Sequence, residues 1–303
     1  MGWNHSRLRK CSLFSLVTCL SGLFFLSPPF SQTNPCQTSI PTRVVTEDST
    51  FEEHPLCLLE RERNFFVTVT VKDRINYVKL LAENLAWLNI SCHADVHVFD
   101  NGSRQFSTSD LQKWFPFASI HPIDTSHDAD IVTRRAFEYF IKSSNVSTLV
   151  NLDSDSLLHP DWSNFVNQVL PLSDGALSLY HSSAPWHPSF NCNEVTCQKN
   201  TTGALGMVFR RDVIEDALKV VHASKDKEQD SFDWALCRYL QGAGKKILVP
   251  RRSLVLHYGL HGAHGDGSSH AEVDEGFDLS TLPATLRGQV RFFLENKFVD
   301  ERR

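Results

Sequence analysis

The sequence has no basic block beyond its first ten residues, no fixed-period repeat and no low-complexity tract. Its 30 Lys and Arg against 35 Asp and Glu leave a net charge of -5, which argues against nucleic acid as a partner. No CxxC pair is present, which removes the usual scaffold of a structural zinc site. GxGxxG, P-loop and GxSxG signatures are all missing, so dinucleotide-fold, P-loop and elbow-type serine hydrolase readings lose their main support. One hydrophobic segment opens the chain, but residues 11–26 fall short of the roughly 20 apolar residues that cross a typical bilayer.

What remains is ordinary globular composition, 41% hydrophobic and 21% charged over 303 residues, enough for one large domain or two small ones. Arg7, Arg9 and Lys10 precede the uncharged CSLFSLVTCLSGLFFL, and SPPFSQTNP follows it. Basic residues followed by an apolar run direct a chain into the secretory pathway. Thinner membranes early in that route tolerate a short span. The expectation is a cytoplasmic tail at 1–10, a signal-anchor at 11–26 and a lumenal remainder, type II in the Golgi or endoplasmic reticulum membrane. Cleavage near Ser27 or Ser31, giving a secreted chain, is the competing reading. Outside the segment lie Cys36, Cys57, Cys92, Cys192, Cys197 and Cys237, an even number that suits disulfides in a lumenal domain. NCNEVTC sets Cys192 and Cys197 where a bridge would close a short loop. Sequons occur at Asn89, Asn101, Asn145 and Asn200, with a further one at Asn4 on the expected cytoplasmic side.

Residues 27–63, rich in Pro, Ser, Thr and Glu, read as a stem, and 64–303 as the folded domain. NFFVTVTV, ADVHVFD, ASIHPI and STLVNLD have strand character. Helical spacing predicts helices over 75–90, 107–115 and 128–144 between them. Alternation of this kind predicts an α/β fold with a mostly parallel sheet covered on both faces, with ligands beyond the carboxyl ends of the strands. The second half is more mixed: strands are predicted at 174–182, 203–211, 245–250 and 253–259, and helices at 211–224, 230–244 and 282–299.

LVNLDSDSLLHPDW, residues 149–162, carries the chemistry: a buried-looking strand runs into Asp153 and Asp155. Like charges placed so close inside a protein are costly without positive charge nearby. Mg²⁺ or Mn²⁺ prefers oxygen ligands and is commonly shared with phosphate oxygens. A strand-end Asp-x-Asp therefore suits a metal that bridges a diphosphate and offsets charge on a departing phosphate. A solvated turn is the plainer alternative. A glycosidase pair fits poorly, because its carboxylates flank a sugar whereas one-residue spacing aims both at one point.

From about residue 64 to 260 the chain resembles a GT-A glycosyltransferase, inverting and family-2-like, with likeness to N-acetylglucosaminyltransferase I-like enzymes. VTVTVKDR resembles the first nucleotide-contacting strand, VFDNGS the acidic turn whose Asp grips uracil or ribose, and LDSDSLLHPDW the metal motif. TTGALGMVFRRDV resembles the Gly-rich segment ahead of an acceptor-side helix, although it departs from the double-Gly form. SFDWALCRYL resembles the segment with the catalytic acid, and PRRSLVLHYG the closing strand.

The resemblance implies a GT-A sheet with a smaller acceptor-side portion, a UDP-sugar donor, and a glycan or protein acceptor. It implies Asp100, Arg134 and Arg135 facing the nucleotide, with Asp153, Asp155 and His257 as ligands of Mn²⁺ or Mg²⁺. Asp233 is then the expected general base, with Asp230 its close rival; each has the plainer reading of a helix-start acid. Trp234 either packs on sugar or fills the core, and Trp186 and His187 either shape the acceptor pocket or lie in a stapled surface loop. The Gly- and His-rich run with His261, His264 and His270 reads as a closing loop or a plain surface loop rather than a zinc site. A non-catalytic sugar-nucleotide or glycan-binding protein, and a sugar-nucleotide hydrolase, are the alternatives to a transferase.

Overall fold

The structure, a computed structural model, describes residues 63–123, 129–223, 231–259 and 275–296. The hydrophobic segment, nearly all of the stem, Asp230, and His261, His264 and His270 lie outside those residues. Among the described residues no helix is long and apolar enough to cross a membrane.

The first half alternates as its sequence predicts: β1 (Phe65–Val71), α1 (Ile75–Trp87), β2 (Ala94–Asp100), α2 (Thr108–Trp114), β3 (Ala118–Pro122), α3 (Ala129–Ser143) and β4 (Thr148–Asp153). There follow β5 (Ser156–Leu158), α4 (Trp162–Val169), β6 (Ala176–Ser178), β7 (Ser189–Phe190), β8 (Thr196–Lys199), β9 (Met207–Arg210) and α5 (Arg211–Ala223). The described chain closes with α6 (Phe232–Gly242), β10 (Ile247–Pro250), β11 (Val255–His257) and α7 (Ala284–Asn296). Nine strands form one sheet in the order β3-β2-β1-β4-β9-β6-β10-β8-β7, and β11 pairs with β5 in a separate ladder. β1 is parallel to β2 and β4, and β2 to β3, while β9 runs antiparallel to both β4 and β6. The protein is thus a mixed α/β fold with a large, mostly parallel sheet flanked by helices.

Both faces of the central strands are covered, which explains their near-continuous apolar runs. Phe65, Val67 and Val69 pack on one face with Val78, Leu81 and Leu85 of α1 and Trp162 of α4. Phe66 and Leu149 pack on the other with Phe137 and Phe140 of α3, Ile214 of α5 and Leu236 of α6. Thr68, fully buried in β1, donates to Asn151 Oδ1 at 2.9 Å, and Asn151 Nδ2 donates to the Ala204 carbonyl at 3.0 Å. A third cluster joins Tyr77 and Leu80 of α1, Leu157 and Leu256 of the β5–β11 ladder, Tyr258, and Leu286 and Val290 of α7.

Several boundaries differ from the sequence expectation. The helix predicted to residue 90 ends at Trp87, where Asn89 takes a left-handed φ of 48° and starts a 3-10 turn. The strands expected over 174–182 and 203–211 begin later, just after Gly175 (φ 91°) and Gly206 (φ 70°). A Cβ on Gly206 would stand 3.0 Å from the Tyr180 amide nitrogen, so this close approach requires glycine. α4 and the β7–β8 hairpin were not expected; Cys192 and Cys197 are bridged in that hairpin, and Cys237 is a buried free thiol.

Candidate active site

Strand register gathers the sequence-predicted residues. Val71 pairs with Asp100, and Thr70 with Asp153, so two acidic strand ends flank the end of β1. The turns that follow β1 and β2 are stitched together. Asp73 Oδ1 accepts from the amides of Arg104 (2.6 Å) and Gln105 (3.0 Å), and Gln105 Oε1 accepts from the Ile75 amide (3.1 Å). Asp100, buried, accepts from the Ser103 amide at 3.0 Å. Asp73 and Arg74 take left-handed φ values of 50° and 61°, a conformation that non-glycine residues adopt only where the surroundings enforce it.

That backbone turn puts Arg74 into the centre of the site, a residue the sequence reading passed over. Its Nη1 lies 2.7 Å from Asp155 Oδ2, with both side chains nearly buried, and its guanidinium stacks 4.2 Å above the Tyr77 ring. Arg74 Nε and Nη2 are buried and have no hydrogen-bond partner among the described residues. The available signal was the dipeptide Asp73-Arg74 closing a buried strand: a cation at a carboxyl strand end beside acids.

His257 arrives from β11, where it pairs with Ser156 of β5, and its Nε2 lies 3.4 Å from the same Asp155 Oδ2. The Tyr258 amide donates to the Asp155 carbonyl at 3.1 Å. Gly259 then presses its Cα against the carboxylate: a Cβ there would fall 1.8 Å from Asp155 Oδ2.

The two carboxyls are driven apart in acidity. Burial alone would raise Asp155, but His257 and Arg74, by charge and by hydrogen bonding, hold it well below the usual carboxylate range. Asp153 keeps some accessible surface although protein surrounds it. Burial first, then the charge of Asp155, pushes it up to about 7; Asp233 adds to the rise, while His257 and Arg74 oppose it.

Among the described residues no group of three or more His, Cys, Asp and Glu forms a ready metal cage. The donor set nevertheless suits an open site. Adjacent ligands of an octahedral Mg²⁺ at about 2.1 Å stand roughly 3 Å apart, and Asp155 Oδ2 and His257 Nε2 are separated by 3.4 Å. Such ions usually keep waters and take substrate phosphate oxygens as remaining ligands. The unpartnered donors of Arg74 suit an anion at the same place.

Asp233 stands in the first turn of α6. Its Oδ1 accepts from Ser231 Oγ and, at 2.8 Å, from the Trp234 amide. Its Oδ2 faces Gly203, where a Cβ would sit 3.9 Å away. The helix start is pinned by Asp130 of α3, which accepts from the Phe232 amide at 3.0 Å. The charge of Asp233 is felt at Asp153. Arg134 pairs with Glu138 at 3.1 Å along α3, and Arg135 is exposed.

No protein-family model matches the sequence, and no curated protein matches it. Among solved structures, residues 1–349 of S. aureus TarS with UDP-GlcNAc share 14% identity at a TM-score of 0.47, covering 61% of this chain and 55% of that one. The same protein with UDP gives 13% identity and 0.44, covering 61% and 57%. The mannosyltransferase PcManGT from Pyrobaculum calidifontis, with GDP-Man and Mn²⁺, gives 12% and 0.44, covering 67% and 61%. This chain therefore spans between 55 and 61% of those chains. Likeness at this level carries no functional argument; the site's own geometry does.

Proposed function

We propose that this protein is a glycosyltransferase that moves a sugar from a nucleoside diphosphate, with UDP as the expected nucleotide, to a hydroxyl of a glycan or protein acceptor. The observation that carries the reading is Asp155, whose one carboxylate oxygen is shared by Arg74 and His257 at the carboxyl ends of parallel strands. Ligands of open α/β sheets bind at such ends. Asp100 would hold the ribose or uracil, with Arg134 and Arg135 on the nucleotide side. Asp155, His257 and Asp153 would hold Mn²⁺ or Mg²⁺, and that ion, when bound, offsets charge on the diphosphate. Arg74 would pair with phosphate oxygens through its two unused donors. Asp233 takes the proton from the acceptor hydroxyl as that oxygen forms its bond to the anomeric carbon. The bond from the anomeric carbon to the phosphate oxygen breaks on the opposite side, which inverts the centre and releases the diphosphate. Asp230 is the alternative base. The sugar transferred is of the hexosyl or N-acetylhexosaminyl class.

The Cys192–Cys197 bridge and a second disulfide at Cys92 favour an oxidising compartment, in keeping with a type II lumenal enzyme held by residues 11–26.

A thermal-shift panel of UDP, GDP and CMP and their sugars, each with Mn²⁺, Mg²⁺ or chelator, tests this. A ligand specific for the native state at 100 times its Kd adds about 2.7 kcal/mol. The expected result is a shift with one nucleotide that disappears with chelator. No shift with any of them would overturn the proposal.

A further inference from the structure

Beside Asp233 the surface carries two large exposed rings. Trp186 is 43% and Trp234 36% exposed, and both rings lie beside that of His187, which is 3% exposed. The His187 ring is stacked with Trp234 at 5.6 Å and 28°, and meets Trp186 edge-on at 6.3 Å and 65°. Exposed apolar side chains grouped in one patch, unlike ones scattered singly, mark a candidate binding site.

The holding is extensive. Thr201 Oγ1 donates to the Trp186 carbonyl at 3.0 Å and lies 2.9 Å from His187 Nδ1. Lys199, 1% exposed, donates its ammonium to the carbonyls of Ser182 and His187, the latter at 2.7 Å. A buried ammonium is costly unless its donors are filled, so these bonds fix the strand-to-loop geometry. A Cβ at Gly203, two residues beyond Thr201, would stand 3.9 Å from Asp233 Oδ2, and the Trp234 amide donates to Asp233 Oδ1. Trp234 is thus held at the proposed base, and the strand-to-loop segment that holds Trp186 runs on towards it.

We infer that Trp186 and Trp234, braced by His187 and Lys199, form the acceptor subsite, and that the acceptor is a neutral carbohydrate rather than a peptide. This rests on the transferase reading. A pyranose ring presents one face of C–H groups, which packs on an aromatic plane while its hydroxyls stay outward in water. Apart from Asp233 itself, no Asp, Glu, Lys or Arg occurs at 184–193, 201–203 or 231–234, so the lining has little to offer a charged peptide. The platform orients a sugar hydroxyl toward Asp233.

Tryptophan fluorescence of the protein, saturated with UDP and Mn²⁺, is titrated with lactose, chitobiose, mannobiose and a Ser/Thr-containing peptide. The expected result is a saturable change with at least one disaccharide and none with the peptide. Trp186→Ala and Trp234→Ala should each weaken that binding, read by calorimetry, about tenfold or more. Trp234→Phe should retain most of it, and the UDP thermal shift should persist in all three. Binding of the peptide alone, binding of no disaccharide, or disaccharide binding indifferent to both alanine variants would overturn the inference. If sugar binds at the tryptophans but no nucleotide shifts the protein, the platform stands and the transferase reading falls.

Discussion

Replacing Arg74 by Met removes the cation from a nearly buried pair, side chains 12% and 10% exposed, with the charges 2.7 Å apart. Removing one partner of such a pair typically costs about 3–5 kcal/mol, because the other charge stays behind without compensation. Two effects reduce that here. Arg74 itself buries two donors without partners, and losing them returns about 1–3 kcal/mol. His257 remains 3.4 Å from Asp155 and continues to attract the carboxylate. The net expectation for Arg74→Met is a loss of about 2 kcal/mol in urea unfolding. Asp155→Asn alone leaves Arg74 without its carboxylate and also destabilises. The double variant carries neither uncompensated charge, so its loss should fall short of the sum of the single losses by about 1–3 kcal/mol. Mn²⁺ should stabilise Arg74→Met more than the parent, because the ion restores positive charge beside Asp155. Additive losses, together with an equal response to Mn²⁺ in parent and variant, would refute the coupling.

Gly259→Ala should abolish the metal-dependent nucleotide shift and cost about 1–3 kcal/mol, since its Cβ would lie 1.8 Å from Asp155 Oδ2 and displace that carboxylate. Asp233→Asn should keep the nucleotide shift and lower sugar transfer, measured by UDP release with acceptor, by roughly 10²–10⁴-fold; a benign Asp233→Asn with an inactive Asp230→Asn would move the role to Asp230. His97 is lowered to about 4 by burial first and then by His121, whose Nε2 is 2.9 Å from His97 Nδ1. Its folded pKa lies below the unfolded value of about 6.5, so the unfolded chain takes up the extra proton and stability falls as pH drops from about 6.5 towards 4. Discounted for partial exposure, the loss is about 1–2 kcal/mol, and His97→Phe, which keeps the stacking on Phe66, should flatten that part of the melting-temperature profile.

The first half of the fold was readable because local and global signals agree there. VTVTV and LVNL are buried on both faces, and helical spacing between them leaves one topology in which ligands meet the strand ends. Asp100, Asp153 and Asp155 could be singled out because buried acids at strand ends stand out against apolar neighbours. Arg74 offered only its position after a buried strand, since its place depends on two successive left-handed residues that no apolar period announces. β6 to β9 were blurred for a related reason: the strands are short, and glycines at 175 and 206 set their starts through close packing rather than local preference. Trp234 was ambiguous in sequence because its period along α6 fits a core position as well as an exposed one; only the fold shows its ring at the surface.

Every residue placed at the candidate site precedes residue 260, yet the packing beneath Asp155 and His257 is built further along. Leu286 and Val290 of α7 fill the cluster under the β5–β11 ladder, together with Tyr77 and Tyr258. Those tyrosines flank the site directly: one supports the Arg74 guanidinium and the other begins the approach of Gly259 to the carboxylate. The C-terminal helix is therefore a remote foundation. A stop codon ahead of Ala284 would leave every residue of the candidate site in the chain and still remove the packing beneath Asp155 and His257. For expression and engineering, α7 belongs with the candidate site in all but contact.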